Sequence, residues 1–315
     1  FGPDKDKSAG KWTECTPESV TDFSAVGYYF GRDLHNARKV PIGLIQSAWG
    51  GTEAERWTSP AVLQLLTFQN KVTTRQKEPS DLYNGMIAPV IPYAIMGVIW
   101  YQGESNADRA VQYRTLFPAM IKNWRDDWKH PDLPFLFVQL APWDVPKQQA
   151  WPELREAQLL TAQKVPNTAM AVITDHGDRK DIHPPDKEPV GARLALCARA
   201  IAYKEKIVYS GPEYESMKAD DKHITLSFKH VGGGLLAKGG VLKGFTICGE
   251  DTNFVDAQAE IVGNFVVVHS DKVQRPLAVR FGWHNHPEGI LFNAEGLPAT
   301  PFRTDEFPLL TGLKK

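Results

Sequence analysis

Residues 97–106, GVIWYQGESN, decide how this chain reads. Val98, Ile99 and Trp100 are β-branched or aromatic with no polar interruption, the pattern of a strand buried on both faces. A Gly-Glu-Ser-Asn turn follows at once. Strands buried on both faces belong to parallel sheets, and open parallel sheets bind ligands beyond the carboxyl ends of their strands. A serine just past a glycine at such a strand end is also a place where a nucleophile can sit. Two questions therefore arise together: whether the sheet is parallel, and whether Ser105 is reactive.

Outward from this stretch the same texture recurs. VPIGLIQS (40–47), YAIMGVIWYQ (93–102), LPFLFVQL (133–140) and AMAVIT (169–174) predict strands. Helical spacing separates them. Phe23, Val26, Phe30, Leu34 and Ala37 predict a helix over about 22–38, and Ala110, Tyr113, Met120, Ile121, Trp124 and Trp128 share one face of another, with a kink expected at Pro118. A third helix is expected over 151–164, and Val190, Leu194, Cys197 and Ile201 mark a fourth from about Lys187 to Tyr203. Alternating strands and amphipathic helices define an α/β fold with a parallel sheet covered on both faces. Residues 1–20 read as an extended lead-in and 60–80 as weakly periodic.

After about residue 206 the pattern changes. HITLSFKHV, LKGFTICG, AEIVGNFVVVHS and LAVRFGW are short, alternating and separated by Gly, Asp and Asn. That is the signature of antiparallel strands, so a small β-sandwich-like domain is expected over 206–315, following an α/β domain over 1–205. A length of 315 residues has room for both.

Bulk properties narrow the function. Hydrophobic content of 42% and charged content of 23% are those of a globular protein. A net charge of −1 supplies no pull toward nucleic acid or anionic membrane, and no apolar run approaches the ~18 residues of a membrane span. Cys15, Cys197 and Cys248 are widely spaced and form no CxxC pair, which argues against structural zinc; Cys197 is expected to be a buried thiol. His284-x-His286 lacks a matching carboxylate and is weak as a metal pair, so neither metal nor cofactor is expected. No signal-peptide pattern is present, and the chain begins at Phe1 without an initiator Met, as part of a longer gene product would.

The polar loops at the expected carboxyl edge carry the candidate chemistry. His183, in DIHPP, lies between a strand and a helix with Asp181 two residues before it, a base with a carboxylate to orient it. Glu104 reads either as an N-cap or as an active-site acid, and Asn106 either as an N-cap or as an amide donor to an oxyanion. Gly50-Gly51 can bring a backbone N–H close to a reacting oxygen. These residues supply a base, carboxylates and oxyanion donors, but no nucleophile.

Four blocks carry a resemblance: VPIGLIQSAWGGTEAERWTS, LYNGMIAPVIPYAIMGVIWYQGESN, DIHPPDKEPVGARLAL and WHNHPEGILFNAEGLPATPFRTD. Together they resemble the sialate O-acetylesterase family of SGNH hydrolases, over about residues 22–306. The resemblance implies a flavodoxin-like three-layer domain and removal of acetyl groups from sugar hydroxyls. It implies Gly51 and Asn106 as the oxyanion hole and His183 as the base, with Glu104 or Asp181 orienting it. Many SGNH enzymes space the pair as Asp-x-x-His, whereas Lys180 stands three before His183 here, so both carboxylates stay open. Through the same QGESN block the resemblance implies Gln102 as a substrate-binding residue, and Trp143, Trp283 and Tyr101 are candidate sugar platforms.

The family's serine lies in a Gly-Gln-Ser-Asn-Met block ahead of the first glycine block; no such block, and no Gly-Asp-Ser, occurs in this sequence. Ser105 aligns with the oxyanion block instead. Ser47 ends the first expected strand but lacks the preceding glycine of a nucleophile elbow. The nucleophile is therefore expected on an N-terminal segment of the same gene product, pairing beside GLIQS. The connection from ERWTS to LYNGM is also shorter than in many relatives. The expected substrate is an O-acetylated carbohydrate such as sialic acid, with xylan as the alternative; a catalytically silent carbohydrate-binding protein is the competing class.

Overall fold

A computed structural model describes residues 10–66, 78–144, 150–288 and 290–312. The expected lead-in over 1–20 and the weakly periodic 60–80 stretch lie partly outside them. Three strands, β1 (Val98–Trp100), β2 (Phe135–Val138) and β3 (Thr168–Ala171), form a parallel sheet in the order β1-β2-β3. Val98 stands opposite Phe135, and Phe135 opposite Thr168.

Four helices cover the sheet: α1 (Ala25–Arg38), α2 (Ala110–Asp127, with Pro118 inside it), α3 (Trp151–Lys164) and α4 (Glu188–Ile201). The two-residue period of β2 sorts them into layers. Phe135 and Phe137 join Tyr113, Phe117, Ile121 and Trp124 of α2 and Leu154 of α3 in one core. Leu136 and Val138 join Leu34 of α1 and Val190, Leu194 and Cys197 of α4 in another. Every residue of β2 and β3 is buried, which explains why their sequences do not alternate. Cys197 is the expected buried thiol, its pKa pushed up to about 12 by burial.

The strand expected over VPIGLIQS does not form. Residues 41–49 carry no strand, and β1 pairs only with β2 among the described residues. An apolar run becomes a strand only where a ladder partner lies alongside, and here a groove of about 720 Å3 separates the two segments. Leu44, Gln46, Ser47, Val98 and Trp100 are all among its lining residues. The 93–102 run likewise contracts to Val98–Trp100.

Past α4 the sheets are antiparallel. β4 (Glu213–Ala219), β5 (His223–Lys229), β9 (Gln258–Val262) and β10 (Phe265–His269) form one sheet, in the order β4-β5-β10-β9. A second contains β7 (Phe245–Cys248), β8 (Val255–Asp256), β11 (Ala278–Phe281) and β13 (Phe302–Arg303), and β6 (Leu235–Ala237) pairs with β12 (Leu291–Asn293). Ile224, Leu226, Val266 and Val268 of the first sheet share a core with Phe245, Ile247, Val279 and Phe281 of the second. The AEIVGNFVVVHS block resolves into the β9–β10 hairpin.

Arg155 of α3, fully buried, ties the two regions together. It donates to the carbonyls of Leu140 and Ala141 after β2 (2.8 and 3.0 Å) and to those of His284 and Asn285 (2.7 and 2.9 Å). Burial pulls its pKa down to about 9, and the four carbonyl dipoles take the place of a counter-ion.

Candidate active site

The loops leaving β1, β2 and β3 meet at the carboxyl edge of the sheet. The first turns at Gly103, whose φ of 148° is open only to glycine. A Cβ there would also lie 2.6 Å from Leu154 Cδ2. The chain then enters a short 3-10 helix, Glu104–Arg109.

Gln102 and Asn106 hold this turn to the glycine loop. Gln102 Nε2 donates to the Thr52 carbonyl (3.0 Å) and to Asn106 Oδ1 (2.7 Å), while its Oε1 accepts from the Tyr113 hydroxyl (3.0 Å). Asn106 Oδ1 also accepts from the Ala54 N–H (2.9 Å), and Asn106 Nδ2 donates to Glu55 (2.8 Å). The two residues expected to form the oxyanion hole thus belong to one hydrogen-bonded unit: Asn106 directly, and Gly51, at φ 70°, through its neighbour Thr52. Gln102 is turned inward, with both ends of its amide engaged. It is a strut between the loops, with Nε2 donating twice and Oε1 accepting once.

His183 stands out on the loop after β3, its side chain 83% exposed. Its backbone N–H donates to Asp181 Oδ1 (2.8 Å), and the same oxygen lies 3.6 Å from Nδ1. Asp181 therefore shapes the turn and contacts the ring only loosely. Asp178 Oδ1 accepts from the N–H groups of Lys180 and Asp181, which hold its carboxyl below the ordinary value.

Glu104 is half-buried at the start of the 3-10 helix. Burial raises its pKa, and its backbone N–H, His183 and Lys187 oppose that rise. Lys187 Nζ lies 5.4 Å from the Tyr101 ring centroid; burial lowers its pKa, against the pull of Glu104, Asp181 and Asp186. Glu104 and His183 therefore act on each other electrostatically, with no hydrogen bond between them. Neither expected alternative serine is joined to the base: Ser105 makes no hydrogen bond to His183, and Ser47 Oγ donates to the Met86 carbonyl (3.1 Å).

The two tryptophans diverge. The Trp143 ring packs against Trp151 (5.4 Å), and its backbone N–H donates to the Asn285 carbonyl (3.3 Å), which places it where the crevice loops meet the C-terminal region. Arg179 of the histidine loop bridges the same junction, through Asp144 (2.9 Å) and Glu288 (2.8 Å). The Trp283 ring instead carries the guanidinium groups of Arg280 and Arg303, at 5.5 and 5.6 Å.

Sequence reasoning missed Glu55 and a second histidine. His176 Nδ1 lies 2.9 Å from Asp186 and its Nε2 3.4 Å from Asp175, which pairs with both Nη atoms of Arg193 (2.6 and 2.7 Å). This set joins the two ends of the loop that carries His183. The D-H-G-D run at 175–178 was its available signal.

A parallel α/β sheet with a histidine and a buried asparagine amide on adjoining edge loops is a framework that acyl-transfer chemistry can use. The comparisons specify it further. The profile of the family described as "Carbohydrate esterase, sialic acid-specific acetylesterase" matches residues 11–196, and the chain belongs to that family. It is 36% identical over 240 residues to the sialate O-acetylesterase of Pongo abelii and 35% identical over 240 residues to that of Homo sapiens. Both alignments cover 66% of this chain and 46% of the relative, so the chain spans about half the length of these proteins. The crystal structure of a carbohydrate acetylesterase from Xanthomonas citri superposes with a TM-score of 0.88 at 43% identity, covering 95% of this chain and 69% of the other.

Proposed function

We propose that this chain is a working part of a carbohydrate O-acetylesterase, which removes acetyl groups from sugar hydroxyls in the manner of a sialate O-acetylesterase. The observation that carries the reading is the Gln102 clasp, which joins the glycine loop and Asn106 at the sheet edge. Backbone N–H groups at Gly51 and the free N–H of Asn106 stabilise the oxyanion of the tetrahedral intermediate. His183 takes the proton of the attacking serine and returns it to the leaving sugar oxygen. Glu104 is favoured as the carboxylate that supports His183, because a half-buried charge is less screened than the exposed Asp181. Trp143 is the favoured sugar platform.

The serine is delivered by an upstream segment of the same gene product, which adds to the open edge of β1 as a parallel strand. The groove between β1 and residues 42–49, lined by apolar side chains, supports this reading. A strand of the usual 5–6 residues is about 17–20 Å long and would present its last residue at the carboxyl edge, beside Gly51 and Asn106.

The test is hydrolysis of p-nitrophenyl acetate and of O-acetylated sialic acid by the full gene product. Turnover of both is expected, with kcat reduced by several orders of magnitude in His183→Ala and the fold intact. Sugar binding without turnover would favour the silent binding protein, and a preference for acetylated xylan would move the substrate. We also propose the domain boundary within 202–212, between α4 and β4; limited proteolysis should cut there first.

A further inference from the structure

Glu55 lies four residues past Gly51 in a short 3-10 helix, Ala54–Trp57, and none of its surface is exposed. A buried carboxylate is tolerated only when paired and hydrogen-bonded. Each of its oxygens has its own partner. Oε1 accepts from Arg109 Nη1, which also contacts Gln112 Oε1 at 3.3 Å, and Arg109 Nε lies 3.8 Å from Asp108. Oε2 accepts from Asn106 Nδ2 at 2.8 Å.

The consequence falls on Asn106. An ionised carboxylate only accepts hydrogen bonds, so the NH2 end of the Asn106 amide must face Glu55. The opposite end faces two donors, the Ala54 N–H at 2.9 Å and Gln102 Nε2 at 2.7 Å. Rotating the amide by half a turn would set oxygen against carboxylate and NH2 against two donors. One orientation is therefore fixed from both ends. It leaves a single N–H of Nδ2 uncommitted, with its direction set by the plane of the amide.

We infer that Glu55 is a positioning residue for the esterase reaction, holding the Asn106 amide so that its second N–H points at the developing oxyanion. The inference rests on the reading of Asn106 as the oxyanion donor. Glu55 touches no reacting atom. Its effect should therefore appear in kcat, and only through Asn106.

The experiment is a double-mutant cycle in the full gene product, reading kcat and KM on p-nitrophenyl acetate for wild type, Glu55→Gln, Asn106→Ala and the double variant. Asn106→Ala is expected to lower kcat about 10²–10³-fold. In Glu55→Gln the amide can satisfy Arg109 or Asn106 but not both, and kcat should fall about 10–100-fold with KM within about twofold. On the Asn106→Ala background the Glu55 change should cost less than about threefold, because its target is gone. If Glu55→Gln does not fold, Glu55→Asp keeps the charge opposite Arg109 while drawing the carboxylate back by one methylene, and the same cycle applies. Losses that multiply fully in the double variant would overturn the inference while leaving the oxyanion reading in place. Near-normal kcat in Asn106→Ala would overturn the oxyanion reading and the inference with it.

Discussion

Replacing Gln102 with Leu tests whether the strut holds the site together. The substitution nearly conserves volume but removes three hydrogen bonds at once. Asn106 Oδ1 keeps its bond from the Ala54 N–H, so it is not orphaned. The Thr52 carbonyl and the fully buried Tyr113 hydroxyl each lose the amide that serves them. An orphaned buried polar group costs about 1–3 kcal/mol, so the expected loss is about 2–6 kcal/mol. Against a typical total of 5–15 kcal/mol this is large but survivable. Urea unfolding followed by tryptophan fluorescence measures it, as a lower midpoint at unchanged slope. In the full gene product kcat should also fall at least about tenfold, since the glycine loop would lose its anchor at Thr52 and stay tied to Asn106 through Ala54 and Glu55 alone. A stability change under about 0.5 kcal/mol together with normal kcat would refute the strut.

Three further outcomes follow from the same geometry. Glu104→Gln should lower kcat more than Asp181→Asn, because Asp181 is exposed and occupied by the His183 backbone N–H; the reverse order of rates would assign the supporting role to Asp181. Burial works to raise the Asp175 pKa, but Arg193 and His176 outweigh it and hold the carboxyl below its ordinary value. That contribution is complete above about pH 4 and lost as pH falls through the lowered pKa, so Asp175→Asn should destabilise by about 3–5 kcal/mol near neutrality and flatten the loss below pH 4, read from melting temperature against pH. Gly191→Ala would set a Cβ 2.5 Å from Tyr29 Cβ and 2.7 Å from the Phe30 nitrogen, where α1 and α4 touch, and should lower stability by about 1–3 kcal/mol in the same urea titration.

The α/β layers were legible because β2 and β3 are buried on both faces and their helices carry clean apolar stripes. The run at 40–47 has the same apolar texture and yet no ladder, since hydrophobicity signals a tendency to be covered and says nothing about the partner. β4 was missed for the opposite reason. It is an edge strand whose exposed face reads Glu, Ser, Lys, with no apolar alternation to detect. In the site, residue type pointed to His183, Asn106 and Gly51, because imidazole, amide and glycine each suit one step of acyl transfer. The inward turn of Gln102 was not legible: a glutamine at a strand end can serve a ligand or a neighbouring loop equally well. Glu55 was hidden more deeply, since an acid in a polar loop looks solvated until Arg109 and Asn106 are seen to enclose it.

The central claim is that this chain supplies the base and the oxyanion hole while the serine comes from upstream. Labelling the full gene product with a fluorophosphonate, followed by peptide mapping, tests it directly. The account predicts a single labelled serine on a segment preceding Phe1, with labelling abolished in His183→Ala. A label on Ser105, or on any other serine within these 315 residues, would contradict it.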